Sequence, residues 1–76
     1  MEENPFHDWL ATQAHWVYST ALRQVRDPHL AEDVAQATFL LATTRSAQLR
    51  GHPKPAGWLF RTACLCSKEA LRRQRR

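Results

Sequence analysis

Residues 27 to 40 of this chain read Asp27-Pro28-His29-Leu30-Ala31-Glu32-Asp33-Val34-Ala35-Gln36-Ala37-Thr38-Phe39-Leu40. Asp27-Pro28 is a helix start signal, because an aspartate side chain accepts free amide hydrogens and proline suits the first helical position. The apolar residues that follow recur every three or four positions, which predicts an amphipathic helix over residues 28 to 44. Its predicted inward positions are Leu30, Val34, Ala37 or Thr38, and Leu41. Its outer side is predicted to be acidic and polar.

Helical periodicity also occurs on both sides of this segment. Over residues 5 to 25 the apolar residues recur at steps of three or four, and we predict a first helix there. Pro53 and Pro55 predict a loop over about residues 46 to 55, and a third helix follows over residues 56 to 73. Its predicted inward positions are Leu59, Thr62 or Ala63, Cys66 and Ala70.

These patterns predict a compact all-α bundle of three to four helices. The fourth helix would be a short turn inside the loop or would arise from a break within the first helix. With 76 residues, of which 43% are hydrophobic, the chain is expected to form a single domain over residues 1 to 76 that ends in a basic tail. Neither a membrane span nor a signal peptide is predicted, so we place the protein in the cytoplasm.

The charge of the chain is distributed unevenly. Residues 1 to 44 contain two arginines and six acidic residues, a net charge of −4. Residues 45 to 76 contain nine lysines and arginines and one acidic residue, a net charge of +8. A polyanion such as nucleic acid is the expected partner of the second half, while the first half is free to contact a basic protein surface.

The sequence lacks the patterns that an active site needs. No nucleophile–base pairing, metal-ligand spacing or phosphate-binding glycine loop is present, so we predict neither an enzyme nor a bound metal or cofactor. Cys64 and Cys66 lie two positions apart in a predicted helix and point to nearly opposite sides. We expect both to be free thiols, buried or half-buried.

Three segments together resemble a known family. They are residues 27 to 40, the run Gly57-Trp58-Leu59-Phe60-Arg61-Thr62-Ala63 with its basic close Leu71-Arg72-Arg73, and Tyr18-Ser19-Thr20-Ala21-Leu22 upstream. In this order and spacing they resemble region 2 of bacterial sigma-70 family sigma factors of the extracytoplasmic-function (ECF) type. The resemblance covers about residues 10 to 76 and implies a domain that docks on core RNA polymerase and recognises and melts the promoter minus-ten element. A full sigma factor of this type also has a region 4, which has no counterpart here, so we expect an excised domain or a truncated protein.

The resemblance implies that the outer face of the second predicted helix docks on the clamp helices of the polymerase β′ subunit. The positions assigned to this contact are Glu32, Asp33, Gln36, Phe39 and Leu40. Carboxylate and amide groups on adjacent turns offer acceptors to arginines of a partner helix. The family usually has Glu at the position of Ala37 and often Trp at that of Thr43, so we expect weaker clamp binding than is typical. An ordinary solvated helix face is the alternative.

The resemblance assigns the third predicted helix and the preceding loop to the minus-ten element. The positions assigned to DNA binding are Arg50, Lys54, Trp58, Arg61, Lys68, Arg72 and Arg73. The cations would follow phosphates, Trp58 would stack at the edge of the open duplex, and loop residues 49 to 54 would hold an extruded base. Equal alternatives are that Trp58 is a core residue, that the loop is a plain connector and that the terminal arginines are a solvated tail. Glu69 is expected to order Arg72 or Arg73 across one turn.

Two other functions stay open on the sequence alone. A helix-turn-helix DNA reader is also small, helical and basic, but it needs a turn of about four residues, and the predicted loop is much longer. The other is an interaction module that binds polymerase or an anti-sigma factor and lacks promoter activity, which an absence of DNA binding would identify. The expected partners are the β′ subunit of core RNA polymerase, the non-template strand of promoter DNA and an anti-sigma factor, with no membrane contact.

Overall fold

The computed structural model describes residues 5 to 75, which form five helices and no strand. The helices are α1 (Pro5–Thr12), α2 (Ala14–Val25), α3 (Pro28–Thr44), α4 (Ser46–Arg50) and α5 (Pro55–Gln74). The predicted all-α fold is confirmed. Both sources of an extra helix that the sequence suggested occur together, so the described part of the chain has five helices and not three or four.

The start of α3 is fixed by the signal that the sequence predicts. The Asp27 carboxylate accepts the backbone N–H groups of His29 at 2.9 Å and Leu30 at 3.3 Å, and Pro28 is the first helical residue. Just before it, α2 ends at Arg26 in the left-handed conformation, with φ 59° and its N–H bonded to the Leu22 carbonyl at 2.8 Å. Two residues therefore suffice to reverse the chain between α2 and α3.

The predicted first helix is interrupted at Gln13. The Thr12 hydroxyl donates to the Trp9 carbonyl at 2.6 Å, and the Gln13 N–H bonds back three residues to the Leu10 carbonyl at 2.9 Å. A side-chain hydroxyl that bonds to the local backbone competes with the regular helical ladder. The single continuous helix predicted over residues 5 to 25 is therefore wrong, and α1 and α2 replace it.

The predicted loop is shorter than the sequence suggests. Its first five residues form α4, because Leu49 is fully buried and anchors that turn in the core. Only residues 51 to 54 connect α4 to α5, and within them the His52 Nδ1 accepts the Lys54 N–H at 2.9 Å. At the other end α5 continues to Gln74, so part of the predicted basic tail is helical.

The core lies among α2, α3 and α5, which pack against one another pairwise, with α1 and α4 contacting them. One cluster consists of Leu10, Ala42, Leu49 and Leu59. A second cluster consists of Ala21, Val25, Ala31 and Val34. Of the alternative inward positions, Thr38 and Ala63 are buried, whereas Ala37 is exposed.

Buried hydroxyls in this core are hydrogen-bonded within their own helices. Thr38 donates to the Val34 carbonyl at 2.8 Å, and Ser67 donates to the Ala63 carbonyl at 2.8 Å. The sequence reasoning did not include Ser67 among the inward residues, because a serine carries no apolar signal. Within residues 5 to 75, no buried side-chain polar atom lacks a hydrogen-bond partner.

Both cysteines are free and half-buried, as predicted. The Gln24 Nε2 donates to the Cys64 Sγ at 3.0 Å, across the contact between α2 and α5, while Cys66 packs toward α3. Among the described residues, no group of three or more His, Cys, Asp or Glu residues is placed to hold a metal ion. None of the five helices is long and apolar enough to span a membrane.

Candidate functional site

The residues predicted to contact polymerase lie mostly on one exposed side of α3. We call Glu32, Asp33, Gln36 and Leu40 the α3 outer face; all four side chains are exposed. Helical spacing puts Asp33, Gln36 and Leu40 on successive turns of that face. Glu32, Asp33 and Gln36 form no side-chain hydrogen bond or ion pair within the described part of the chain. The face therefore presents two carboxylates and an amide that are available to a partner.

Leu40 and Phe39 occupy opposite environments although they are adjacent. Leu40 is 68% exposed, whereas Phe39 is half-buried and packs against the core cluster of Leu10, Leu49 and Leu59. Of these two positions, the structure gives a free apolar side chain only at Leu40. The predicted contact through Phe39 would have to act through the packing of α3 and not through a free ring.

The end of α3 differs from the usual family pattern at Thr43, and the structure shows what the hydroxyls there do. Thr43 donates to the Leu40 carbonyl at 2.9 Å, and Thr44 donates to the same carbonyl at 2.7 Å. Both side chains are exposed. Their hydroxyls are thus bonded to the last turn of their own helix, beside Leu40.

A groove of about 1070 Å³ runs between α3 and α5. Much of its lining is apolar, with side chains from both helices. These include Leu30, Val34, Leu41, Trp58, Leu65 and Cys66. Four cationic residues, Arg45, Lys54, Arg61 and Arg73, also line it. A cleft with apolar walls and surrounding cations fits a ligand that has both flat apolar rings and negative charge.

Trp58 combines the two environments that the sequence left as alternatives. Its ring is half-buried and packs against the core cluster that contains Leu49 and Leu59. The same residue lines the α3/α5 groove. Trp58 is therefore a partly packed residue with surface left facing the groove. Leu49, which the sequence reasoning counted with the base-holding loop, is fully buried and belongs to the core.

The predicted DNA-binding cations separate into three groups. Lys54, Arg61 and Arg73 line the groove together. Lys68 does not line it but is exposed elsewhere on α5. The Arg50 guanidinium lies 4.8 Å from the centroid of the Phe6 ring, at the end of the molecule near α1. The structure thus brings some of the predicted cations together and leaves Arg50 outside that set.

The C-terminal turn of α5 contains the ion pairs that the sequence predicts. Glu69 accepts the Arg72 guanidinium at 2.6 and 2.8 Å and the Arg73 Nε at 3.3 Å. The hydrogen bond from Arg72 is the main cause that lowers the pKa of Glu69 below its ordinary value of 4.5. Glu69 therefore orders both arginines and offsets part of their charge.

Three residues of the groove were absent from the predicted DNA-binding set. Arg45 lies at the junction of α3 and α4, and its position depends on α4, which the sequence presented as loop. Leu65 is 57% exposed and lines the groove where the family often has Asn. His52 lines it as well and holds the Lys54 backbone. Only the basic character of Arg45 was a usable sequence signal.

Comparison with known proteins assigns the family. Residues 8–76 match the family model of sigma-70 region 2. The RNA polymerase sigma factor CarQ of Myxococcus xanthus is 34% identical over 73 residues, which is 96% of this chain and 42% of CarQ. The chain thus spans less than half the length of that relative. No solved structure gives a significant match. Its helices, its groove and these matches agree, and the chain belongs to the sigma-70 region 2 family.

Proposed function

We propose that this chain is the region 2 domain of an ECF-type sigma factor and acts in transcription initiation. The α3 outer face binds the clamp helices of the polymerase β′ subunit. The groove and the exposed side of α5 bind the non-template strand of the minus-ten element and keep it open. The domain performs no chemistry, because polymerase makes the transcript.

The free state of the α3 outer face supports the docking half of this proposal. Asp33 and Gln36 have no partner within residues 5 to 75, and Leu40 is exposed beside them. Acidic and amide acceptors pair with arginines of a partner helix and fix the register of the contact. An apolar side chain within such a surface gains free energy when a partner covers it. Leu40 is the observation on which this half mainly rests.

The groove supports the DNA half of the proposal. Trp58 offers ring surface toward the groove, and Arg45, Lys54 and Arg61 have no ion pair within the described residues. A base that stacks on an aromatic ring gains about 1 to 3 kcal/mol, and nearby cations hold the phosphates of the same strand. The two effects favour a single strand over a duplex, because only unpaired bases can reach the ring.

The decisive experiment measures binding of the chain to a β′ clamp-helix fragment near physiological salt. We expect saturable binding by the wild-type chain and a loss of more than tenfold in affinity for Asp33→Arg. Asp8→Arg is the matched control, since Asp8 is an exposed acid on α1 and its replacement changes the net charge equally. This control should bind nearly as well as the wild type. Equal losses in both variants, or no loss in either, would contradict docking through the α3 outer face.

A helix-turn-helix reader is the second candidate, because one structural feature favours it. Only residues 51 to 54 separate α4 from α5, so the length of the connection no longer argues against that motif. The family match and the five-residue length of α4 favour the sigma assignment. The affinities of the chain for single-stranded and duplex minus-ten DNA separate the two candidates. A preference for duplex would support the helix-turn-helix reader.

A further inference from the structure

Two exposed aromatic rings touch on the side of the molecule where α2 packs against α5. Trp16 of α2 is 36% exposed and Phe60 of α5 is 48% exposed. Their ring centroids are 6.0 Å apart, with 32° between the ring planes. Among the described residues the other large exposed apolar side chains are Leu40 and Leu65, which are aliphatic. Trp16 and Phe60 form an aromatic pair that the core does not cover.

The aromatic pair and the groove lie on opposite flanks of α5. Phe60 follows Trp58 by two positions, which is a rotation of about 200° around a helix with 3.6 residues per turn. Leu59, between them, is fully buried. Trp58 accordingly lines the groove with α3, while Phe60 contacts α2. Arg61 is exposed on the ridge of α5 between the two flanks.

The surface around the aromatic pair is cationic. Arg23 follows Trp16 by seven positions and therefore lies on the same side of α2. Lys68 follows Arg61 by seven positions along the exposed ridge of α5. Within the described part of the chain, none of these three cations forms an ion pair. The sequence of α2 contains no acidic residue that would compete for them.

We infer that Trp16 and Phe60 form a second stacking site for a single nucleic-acid strand that crosses α5 at Arg61. This inference rests on the proposed function, in which the strand already contacts Trp58. A helix with its side chains is about 10 to 12 Å across, and a stacked strand advances about 3.4 Å per nucleotide. The bases at Trp58 and at the aromatic pair would thus be separated by roughly four nucleotides.

Single-stranded nucleic acid fits this surface better than an apolar protein surface does. Exposed ring faces beside unpaired arginine and lysine match a chain of bases joined by phosphates. An apolar protein partner would bury Arg23, Arg61 and Lys68 without compensation. Removal of one stacking ring typically weakens binding by about 5- to 150-fold.

Two single-tryptophan proteins test the inference by fluorescence. One keeps Trp16 and combines Trp9→Phe with Trp58→Phe; the other keeps Trp58 and combines Trp9→Phe with Trp16→Phe. Each is titrated with a twelve-nucleotide oligothymidylate at low salt, after circular dichroism has verified its helix content. We expect saturable quenching of both tryptophans with similar Kd values. Trp16→Leu in the otherwise unchanged chain should weaken binding at least fivefold, and Trp16→Phe should restore most of it.

The outcomes separate this inference from the proposed function. Quenching of Trp58 without quenching of Trp16 overturns the second stacking site and leaves the proposed function standing. Absence of binding by every variant and by the wild-type chain overturns both. Stronger quenching of Trp16 by polyglutamate than by the oligonucleotide would overturn the inference in favour of an acidic protein partner.

Discussion

Replacement of Leu40 by alanine tests the docking surface with little risk to the fold. Leu40 is 68% exposed, so its removal leaves no cavity, and alanine favours the helix. Full burial of a leucine side chain stabilises by about 1.5 to 3 kcal/mol. If the clamp helices cover the exposed part of Leu40, the variant should lose about 1 to 2 kcal/mol of binding free energy, or about 5- to 30-fold in Kd.

Leu65→Ala provides the matched control for this experiment. Leu65 is 57% exposed, but it lies on α5 and lines the groove. Fluorescence anisotropy with a labelled clamp-helix fragment gives the Kd values, and thermal unfolding checks that both variants stay within about 0.5 kcal/mol of the wild type. We expect weaker binding for Leu40→Ala alone. Unchanged affinity for Leu40→Ala, or an equal loss for Leu65→Ala, would refute the reasoning.

Two further variants probe the turn before α3 and the end of α5. Arg26→Gly relieves a side chain held at φ 59° and should raise the stability by about 0.5 to 1 kcal/mol, measured as a Tm increase of about 2 to 8 °C; a lower Tm would contradict this. Glu69→Gln releases Arg72 and Arg73 and should tighten binding to single-stranded DNA with a steeper salt dependence. Because the folded pKa of Glu69 is lowered, its ion pairs are complete above the unfolded pKa and are lost as the pH falls through the folded value. The difference between Glu69→Gln and wild type should therefore vanish at strongly acid pH, and a difference that persists there would contradict the ion-pair explanation.

The central helix was predictable because its signals are local. Asp27 and Pro28 act within one turn, and the period of the apolar residues follows from helix geometry alone. The break at Gln13 was not predictable in the same way. It depends on how the Thr12 hydroxyl bonds to the backbone, and no glycine or proline marks the position. Helix α4 was hidden because burial of Leu49, a tertiary contact, outweighs the weak local preference of its segment.

The candidate site was predictable only where it lies on one helix. Asp33, Gln36 and Leu40 share a face by spacing, so sequence reasoning grouped them correctly on α3. Whether Phe39 faces solvent or the core depends on where α1 and α4 pack, which spacing does not determine. The pair of Trp16 and Phe60 joins two helices across 44 positions of the chain, and no local pattern indicates such a contact.

Asp33 connects the two proposed surfaces and allows them to be separated. It belongs to the α3 outer face and also lines the groove that contains Trp58 and Arg61. Arginine at this position removes an acceptor for the clamp helices and adds a cation beside the proposed DNA strand. Binding to the clamp fragment should therefore fall, while binding to single-stranded DNA should hold or rise. A loss of both would mean that Asp33 supports the fold of α3 and that its effect on docking is indirect.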